Sequence, residues 1–144
     1  MTGRDASSTS RGSGRPDLVR FGSTDLRVSR ICQGTAFRNM PRAPDNIAGQ
    51  RVLEHCIDAG LNFFDSSNAY GWGGSESLLG TAIAGKRDKV VICTKVAPSY
   101  DPEDPDKAGK PARFTRDYLF EQVEASLGRL GTDYTDLYLL HKPD

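Results

Sequence analysis

The sequence predicts an α/β fold in which parallel strands alternate with helices. After a short hairpin pattern, apolar runs of strand length alternate with segments of helical periodicity. The runs that end near Gly34, Asp65 and Lys95 lie about 30 residues apart, the usual length of a strand with its crossover helix. Since such connections join parallel strands, we expect four parallel strands, the last one ending at His141.

The first elements are a hairpin, a strand and a helix. Residues 19–29 alternate apolar and polar side chains on both sides of a Gly-Ser-Thr-Asp turn, which is typical of a β-hairpin. Residues 31–34 form a short strand. Residues 46–59 form a helix that Asp45 caps and Gly60 ends. Its predicted apolar face consists of Val52, Leu53, Cys56 and Ile57.

The middle of the chain continues with strand, helix and strand. Residues 62–64 are predicted to be extended. Ser75 is the predicted N-cap of the second helix and Gly85 its end. The inward positions of that helix are Leu78, Leu79, Ala82 and Ile83. Residues 89–94 form the third parallel strand.

The last predicted elements follow a long insertion. Residues 97–114 contain four prolines and a group of acidic residues, and they either cover a binding face or form a solvated insertion. Residues 115–130 form a helix that ends at Gly131, and residues 135–140 form the fourth strand. The apolar stripe of this helix consists of Leu119, Val123, Leu127 and Leu130.

Composition excludes several classes of protein. The chain has 144 residues, enough for one domain, and its 19 basic and 19 acidic residues give no attraction to nucleic acid or anionic membrane. No apolar run approaches the ~20 residues of a membrane span, and no secretory signal is visible, so a cytoplasmic protein is expected. Residues 1–16, rich in Ser, Gly and Arg, are predicted to be a disordered tail before a domain at 17–144.

The three cysteines and His55 are assigned structural roles. Cys32, Cys56 and Cys93 are widely separated, lie in apolar stretches and lack metal-ligand spacing. They are expected to be small buried side chains in a reducing compartment. His55 lies within a predicted helix without a partner, so we expect it to be structural or to face solvent.

The ends of the predicted strands carry four polar side chains of complementary type: Asp65, Tyr70, Lys95 and His141. Ligands of parallel α/β folds bind at these strand ends. A tyrosine with a pKa near ~10 is a poor acid at neutral pH, but a lysine cation beside a phenol favours the phenolate, and an aspartate can hold that lysine charged. A neutral imidazole can donate to a carbonyl oxygen. The set predicts proton donation to a carbonyl oxygen that gains negative charge.

The remaining chemistry indicates reduction. The sequence shows no nucleophile with an adjacent base and no cluster of metal ligands, so we predict no metal site. A proton donor without a nucleophile suggests that a cofactor supplies a hydride. The loop GWGGSE is not a dinucleotide phosphate loop, since it lacks the G-x-G-x-x-G arrangement.

Four segments in order resemble the aldo-keto reductase family. GLNFFDSSNAYGWGGSESLLG resembles its Asp-to-Tyr signature, VVICTK its lysine strand, LGTDYTDLYLLHKPD its histidine strand and ICQGTAF its first strand and turn. The resemblance runs from about Leu18 to Asp144. The loop start SSNAY differs from the commoner Thr-Ala, while Asp65 and Tyr70 are in place.

The resemblance implies a role for each residue of the set. Tyr70 is the general acid, Lys95 and Asp65 tune it, and His141 orients the substrate carbonyl. Gly34, Thr35 and Asp65 match positions that line the nicotinamide end of the cofactor. The expected cofactor is NADPH, with NADH as an alternative, and the expected substrate is an aldehyde, ketone or open-chain sugar.

The resemblance also implies the architecture and its incompleteness. The family folds as a (β/α)8 barrel with an N-terminal hairpin plugging the bottom, and this sequence supplies the hairpin and four of the eight strands. Its main dinucleotide contacts come from the second half. We therefore expect the domain at 17–144 to be truncated after strand four, with little activity alone, and to self-associate through exposed sheet edges.

Some interpretations stay open at this stage. Phe37 and Trp72 either wall the substrate pocket or pack locally. The chain is part of a carbonyl reductase, a non-catalytic regulatory subunit that senses the cofactor on the same barrel, or an inert truncated product.

Overall fold

The structure, a computed structural model, describes residues 17–98 and 114–142. The predicted tail at 1–16 and most of the proline-rich insertion lie outside the described residues. The described part has six strands and three α-helices, and strands and helices alternate after an initial hairpin. In chain order they are β1 (Leu18–Arg20), β2 (Arg27–Ser29), β3 (Cys32–Gly34), α1 (Ile47–Asp58), β4 (Phe63–Asp65), α2 (Gly74–Ala82), β5 (Val91–Val96), α3 (Arg116–Leu130) and β6 (Leu137–Leu140).

The strands form the two predicted sheets. β1 and β2 pair antiparallel, with Val19 opposite Val28, so the predicted hairpin is confirmed. The other four strands form one parallel sheet in the order β3-β4-β5-β6. Neighbours in the sequence are neighbours in the sheet because each helix carries the chain back to start the next parallel strand.

The strand boundaries are shifted relative to the sequence prediction. β4 extends to Asp65 instead of ending at Phe64. β5 begins at Val91 because Arg87–Lys89 forms a turn of 3-10 helix, and it runs on to include Lys95. These shifts place Asp65 and Lys95 within the sheet, in regular strand geometry, where the ladder fixes their positions.

The main core lies between the sheet and its helices. The fully buried Phe64 and Ile92 point to this side, which we call the helix face of the sheet. They pack against buried residues of the helices and their connections: Leu53, Leu78, Leu79, Ala82, Ile83, Val90 and Leu130. Val52, predicted on the inward side of α1, is 38% exposed because Leu53 takes the core position.

The opposite side, which we call the open face, carries the residues that alternate with those of the helix face. Its amino-terminal end meets the hairpin, where the Phe21 and Phe63 rings pack edge to face with centroids 5.7 Å apart. Elsewhere on this face Leu139 is 46% exposed. Cys32 is also exposed, so the prediction of three buried cysteines is wrong there, whereas Cys93 is buried.

Two predicted N-caps are wrong, and the predicted end of the last helix is confirmed. Asn46, not Asp45, caps α1, since its side chain accepts from the N–H of Gly49. α2 starts after Gly73, because Ser75 lies inside the helix and its hydroxyl donates to the Thr35 carbonyl. Gly131 ends α3 as predicted, in a left-handed conformation with φ 65°, and Thr115, predicted as the first helical residue, is its N-cap, since its side chain accepts from the N–H of Tyr118.

Candidate active site

The four residues singled out in the sequence converge at the carboxyl edge of the parallel sheet. Gly34 pairs with Asp65, and Lys95 lies one strand further along the same edge. His141 follows β6 directly, and its N–H donates to the Val96 carbonyl at 2.9 Å. The parallel ladder therefore brings together residues that are far apart in the sequence.

The ammonium group of Lys95 connects the set. Its Nζ donates to Asp65 Oδ1 at 2.5 Å, to the Ser66 carbonyl at 2.9 Å and to the Tyr70 hydroxyl at 3.4 Å. Because an ammonium group has three donors, this arrangement uses all of them. The lysine is thereby held between a carboxylate and a phenol, with its charge 5.0 Å from the centre of the tyrosine ring.

The environment keeps Lys95 charged. Burial is the largest single influence and lowers its pKa, but the hydrogen bonds and charges of Asp65 and Tyr70 together raise it by more, so the net pKa lies above the ordinary 10.5. The side chains of Lys95 and Asp65 are 15% and 28% exposed. An ion pair this far removed from water is only weakly screened by salt.

His141 lies against the tyrosine. The two rings meet edge to face with centroids 5.5 Å apart. Burial lowers the pKa of His141, and the positive charge of Lys95 lowers it further, against a smaller opposing contribution from Asp65. The imidazole is therefore neutral at pH 7, with one nitrogen as donor and the other as acceptor.

The loop that carries Tyr70 turns sharply through three residues with positive φ: Gly71 at 62°, Trp72 at 54° and Gly73 at 85°. The N–H of Ser75 donates to the Tyr70 carbonyl at 3.0 Å, which anchors the loop on α2. Gly74 is required by close approach, since a Cβ there would lie 1.7 Å from the Arg42 carbonyl oxygen.

The predicted cofactor-binding residues differ in their exposure. Gly34 is exposed and has open space where a Cβ would lie, directly beside Asp65. Thr35 is fully buried, and its hydroxyl lies 3.1 Å from the Asp65 carbonyl oxygen and 2.9 Å from the Ser66 hydroxyl. Gly34 therefore leaves open space beside Asp65, whereas the Thr35 side chain supports the strand end through its contacts with Asp65 and Ser66.

Sequence reasoning missed three residues that follow Asp65. Ser66 provides the carbonyl that Lys95 contacts, and the Ser67 hydroxyl lies 2.9 Å from His141 Nδ1. Asn68 accepts from the N–H of Ala97, so it ties the loop to the end of β5. Their position between Asp65 and Tyr70 was the available signal, but which partners small polar side chains find depends on the folded sheet edge.

Phe37 and Trp72, for which the sequence left a pocket role or local packing open, have different surroundings in the structure. Phe37 packs partly buried against the main core, which favours local packing. Trp72 is 61% exposed in the loop that carries Tyr70. His55 is exposed on α1, in agreement with the expectation for it.

The described ranges contain neither a cluster of metal ligands nor a membrane-spanning helix. No group of three His, Cys, Asp or Glu side chains within residues 17–98 and 114–142 could hold a metal ion. In the same ranges no helix is both long enough and apolar enough to cross a bilayer.

The chain belongs to the aldo/keto reductase family, whose sequence profile matches residues 30–144. It is 39% identical to the uncharacterized oxidoreductase YrpG of Bacillus subtilis over 89% of this chain and 40% of that protein. It is 32% identical to a probable voltage-gated potassium channel subunit beta of Oryza sativa, over 86% of this chain and 37% of that protein.

A solved relative has the same fold. The aldo-keto reductase from Klebsiella pneumoniae in complex with NADPH is 37% identical, with a TM-score of 0.60, over 90% of this chain and 40% of that one. The chain therefore spans about 40% of the length of the relatives it matches. Its hairpin and four parallel strands align with part of the barrel structures of this family, over about 40% of their length.

Proposed function

We propose that this chain provides the proton-donating half of a carbonyl reductase that uses NADPH, with NADH as the alternative. The observation that carries the proposal is the chain of contacts from Asp65 through Lys95 to Tyr70, with His141 against the tyrosine ring. The substrate is an aldehyde, a ketone or an open-chain sugar, whose carbonyl oxygen gains negative charge when a hydride arrives.

Each residue has a distinct role in the proposed reaction. Tyr70 donates its hydroxyl proton to the carbonyl oxygen. Lys95 stabilises the phenolate that remains, and Asp65 holds the lysine charged and in place. His141 donates a hydrogen bond to the same oxygen and so orients the substrate.

A nicotinamide supplies the hydride when it is bound. The residues fit its ring at one place, the open space at Gly34 beside Asp65. Thr35 supports that strand end through its contacts with Asp65 and Ser66. The chain's own contribution is the polar edge of this space and the proton.

A chimera tests the proposal. Residues 17–144 replace the matching segment of the Klebsiella pneumoniae reductase solved with NADPH, which gives the segment a complete barrel. Consumption of NADPH is followed with a simple aldehyde, and a cooperative thermal transition confirms that the chimera folds. Turnover supports the proposal, and a folded chimera that binds NADPH without turnover contradicts it.

A regulatory function is the second candidate, favoured by the similarity to a probable potassium channel subunit beta. In this reading the chain is part of a barrel that binds the cofactor as a signal and pairs with a membrane protein. Capture from native membranes that recovers one channel protein in stoichiometric amount supports it. Recovery of no membrane protein, together with turnover by the chimera, favours the reductase.

We further propose that the 144-residue chain alone has little activity, is cytoplasmic and associates with itself. β3 and β6 are the edges of the parallel sheet among the described residues, and Leu139 and Leu140 on β6 are 46% and 50% exposed. Unpaired edges with apolar side chains are sites of association. NADPH consumption by the chain alone, at the rate of the chimera, would contradict the first part.

A further inference from the structure

Ser67 has a buried hydroxyl group within reach of several polar atoms. Its Oγ lies 2.9 Å from His141 Nδ1 and 3.3 Å from the Lys95 carbonyl oxygen, and it accepts the N–H of Ala69 at 3.1 Å. The residue is fully buried, so no water competes for these contacts. A hydroxyl has a single proton, so it donates either to the imidazole or to the carbonyl.

The surroundings favour the imidazole as the acceptor. The Lys95 carbonyl already accepts the N–H of Asn68 at 3.1 Å, and it is the more distant of the two acceptors. His141 Nδ1 is closer, at the normal length of a hydrogen bond. The N–H of Ala69 occupies one lone pair of the Ser67 oxygen, and the single hydroxyl proton is best placed towards the closer acceptor, Nδ1.

We propose that Ser67 is a positioning residue that fixes the tautomer of His141 by donating its proton to Nδ1. An Nδ1 that accepts must be unprotonated, so a neutral ring carries its proton on Nε2. The purpose of this arrangement rests on the proposed function: Nε2–H is then the donor available to a substrate carbonyl oxygen beside Tyr70.

The tautomer matters because burial and the lysine charges around His141 disfavour a second proton. The ring faces Lys95, Asp65, the phenol of Tyr70 and the adjacent Lys142. Burial and the lysine charge lower its pKa, so one proton is left to place. If the proton were on Nδ1, it would donate to Ser67. The lone pair of Nε2 would then repel a substrate carbonyl oxygen instead of binding it.

The experiment is a nitrogen NMR spectrum of the chain labelled with ¹⁵N-histidine. The chain has two histidines, and the exposed His55 provides an internal reference that exchanges between tautomers in water. Magic-angle spinning makes the measurement independent of self-association, and His141→Gln assigns the signals. We expect His141 to show a protonated Nε2 and an unprotonated Nδ1. A protonated Nδ1, or averaging like that of His55, overturns the proposal.

Three variants separate the hydroxyl from its surroundings. Ser67→Ala should bring the His141 signals to the averaged positions, and Ser67→Thr, which keeps the hydroxyl, should restore them. Ser66→Ala is the matched control, since Ser66 is equally buried but its hydroxyl contacts Thr35 instead of the imidazole, and it should leave the tautomer fixed. A fixed Nε2–H tautomer in Ser67→Ala would also overturn the proposal.

These readouts do not depend on turnover. An inactive chimera with a fixed Nε2–H tautomer would remove the proposed reaction and leave the positioning by Ser67 standing. An active chimera with His141 protonated on Nδ1 would support the proposed reaction and remove the positioning by Ser67. The two proposals can therefore fail separately.

Discussion

Asp65→Asn is the most informative single change at the site, because it removes one charge and keeps the shape. The carboxylate accepts from Lys95 at 2.5 Å. Burial lowers the pKa of that lysine, and the hydrogen bond and charge of Asp65, together with Tyr70, raise it above the ordinary value. In the variant an amide oxygen accepts instead. We expect the pKa of Lys95 to fall below its present raised value, because burial is then opposed without the Asp65 charge.

The size of the effect follows from the contacts. Removing the counter-charge of a lysine costs about 3–5 kcal/mol at a fully buried pair and about 0–1 kcal/mol at an exposed pair. Lys95 keeps its bond to the Ser66 carbonyl, and the pair is mostly buried. The chimera should therefore lose about 1–3 kcal/mol of unfolding free energy at neutral pH, which lies between these two cases.

The pH dependence gives a sign that can be checked. A lysine whose folded pKa is raised stabilises the folded state below the unfolded pKa, and this contribution is lost as the pH rises through the folded value. For Lys95 the loss begins near 10.5. The difference between parent and Asp65→Asn should therefore be constant around pH 7 and shrink above about pH 10.5.

Urea unfolding of the chimera at several pH values measures this difference, and Asp136→Asn is the control. Asp136 pairs with Arg87 at 2.7 Å, with similarly small exposure, but an arginine does not lose its proton in this range. The effect of the control substitution should not change with pH. A loss near zero for Asp65→Asn at pH 7, or one that persists unchanged at high pH, would refute the assigned role of the Asp65 charge.

Three further predictions concern stability and association. Burial raises the pKa of the Cys93 thiol from 9.0 to about 11, so the unfolding free energy should fall as the pH rises between these values. Cys93→Val should remove this part of the decline in the unfolding free energy measured with urea. A decline that is unchanged in the variant would contradict the prediction. Arg129→Met should cost about 3–5 kcal/mol in the same assay, because it leaves the fully buried Glu76 carboxylate without its charged partner at 2.7 Å. A loss below about 0.5 kcal/mol, as at exposed pairs, would mean that the pair is solvated. The chain alone should sediment as oligomers and Leu140→Lys should shift it towards monomer; a monomeric parent chain would exclude association through this edge.

The order of elements was predictable because it depends on local periodicity. Alternating apolar runs and helical stripes survive the shifts of one or two residues seen at β4 and β5. The parallel sheet then follows from connection rules. For the same reason the approach of Asp65 to Lys95 could be anticipated: both lie at the carboxyl ends of neighbouring strands.

The features that were missed depend on the folded environment. Asn46 rather than Asp45 caps α1, and the sequence offers both as suitable residues. Ser75 has the chemistry of a cap, but the nearby Thr35 carbonyl takes its hydroxyl. The contact of Ser67 with His141 spans a large part of the chain, and nothing local to either residue indicates it. Cys32 lies on an apolar strand, yet it is exposed because it is on the open face at the edge of the sheet.

The turnover number of the chimera with Tyr70→Phe is the most direct test of the central claim that Tyr70 donates the proton. The substitution removes one hydroxyl that contacts Lys95 and keeps the ring against His141. We predict a kcat lower by about 10²–10⁴-fold with KM nearly unchanged, the usual contribution of a general acid. Tyr134→Phe, at the exposed ring that lies on Arg87, is the control and should have the parent kcat. A Tyr70→Phe chimera with kcat within about tenfold of the parent, below the range for general acid catalysis, would contradict the account.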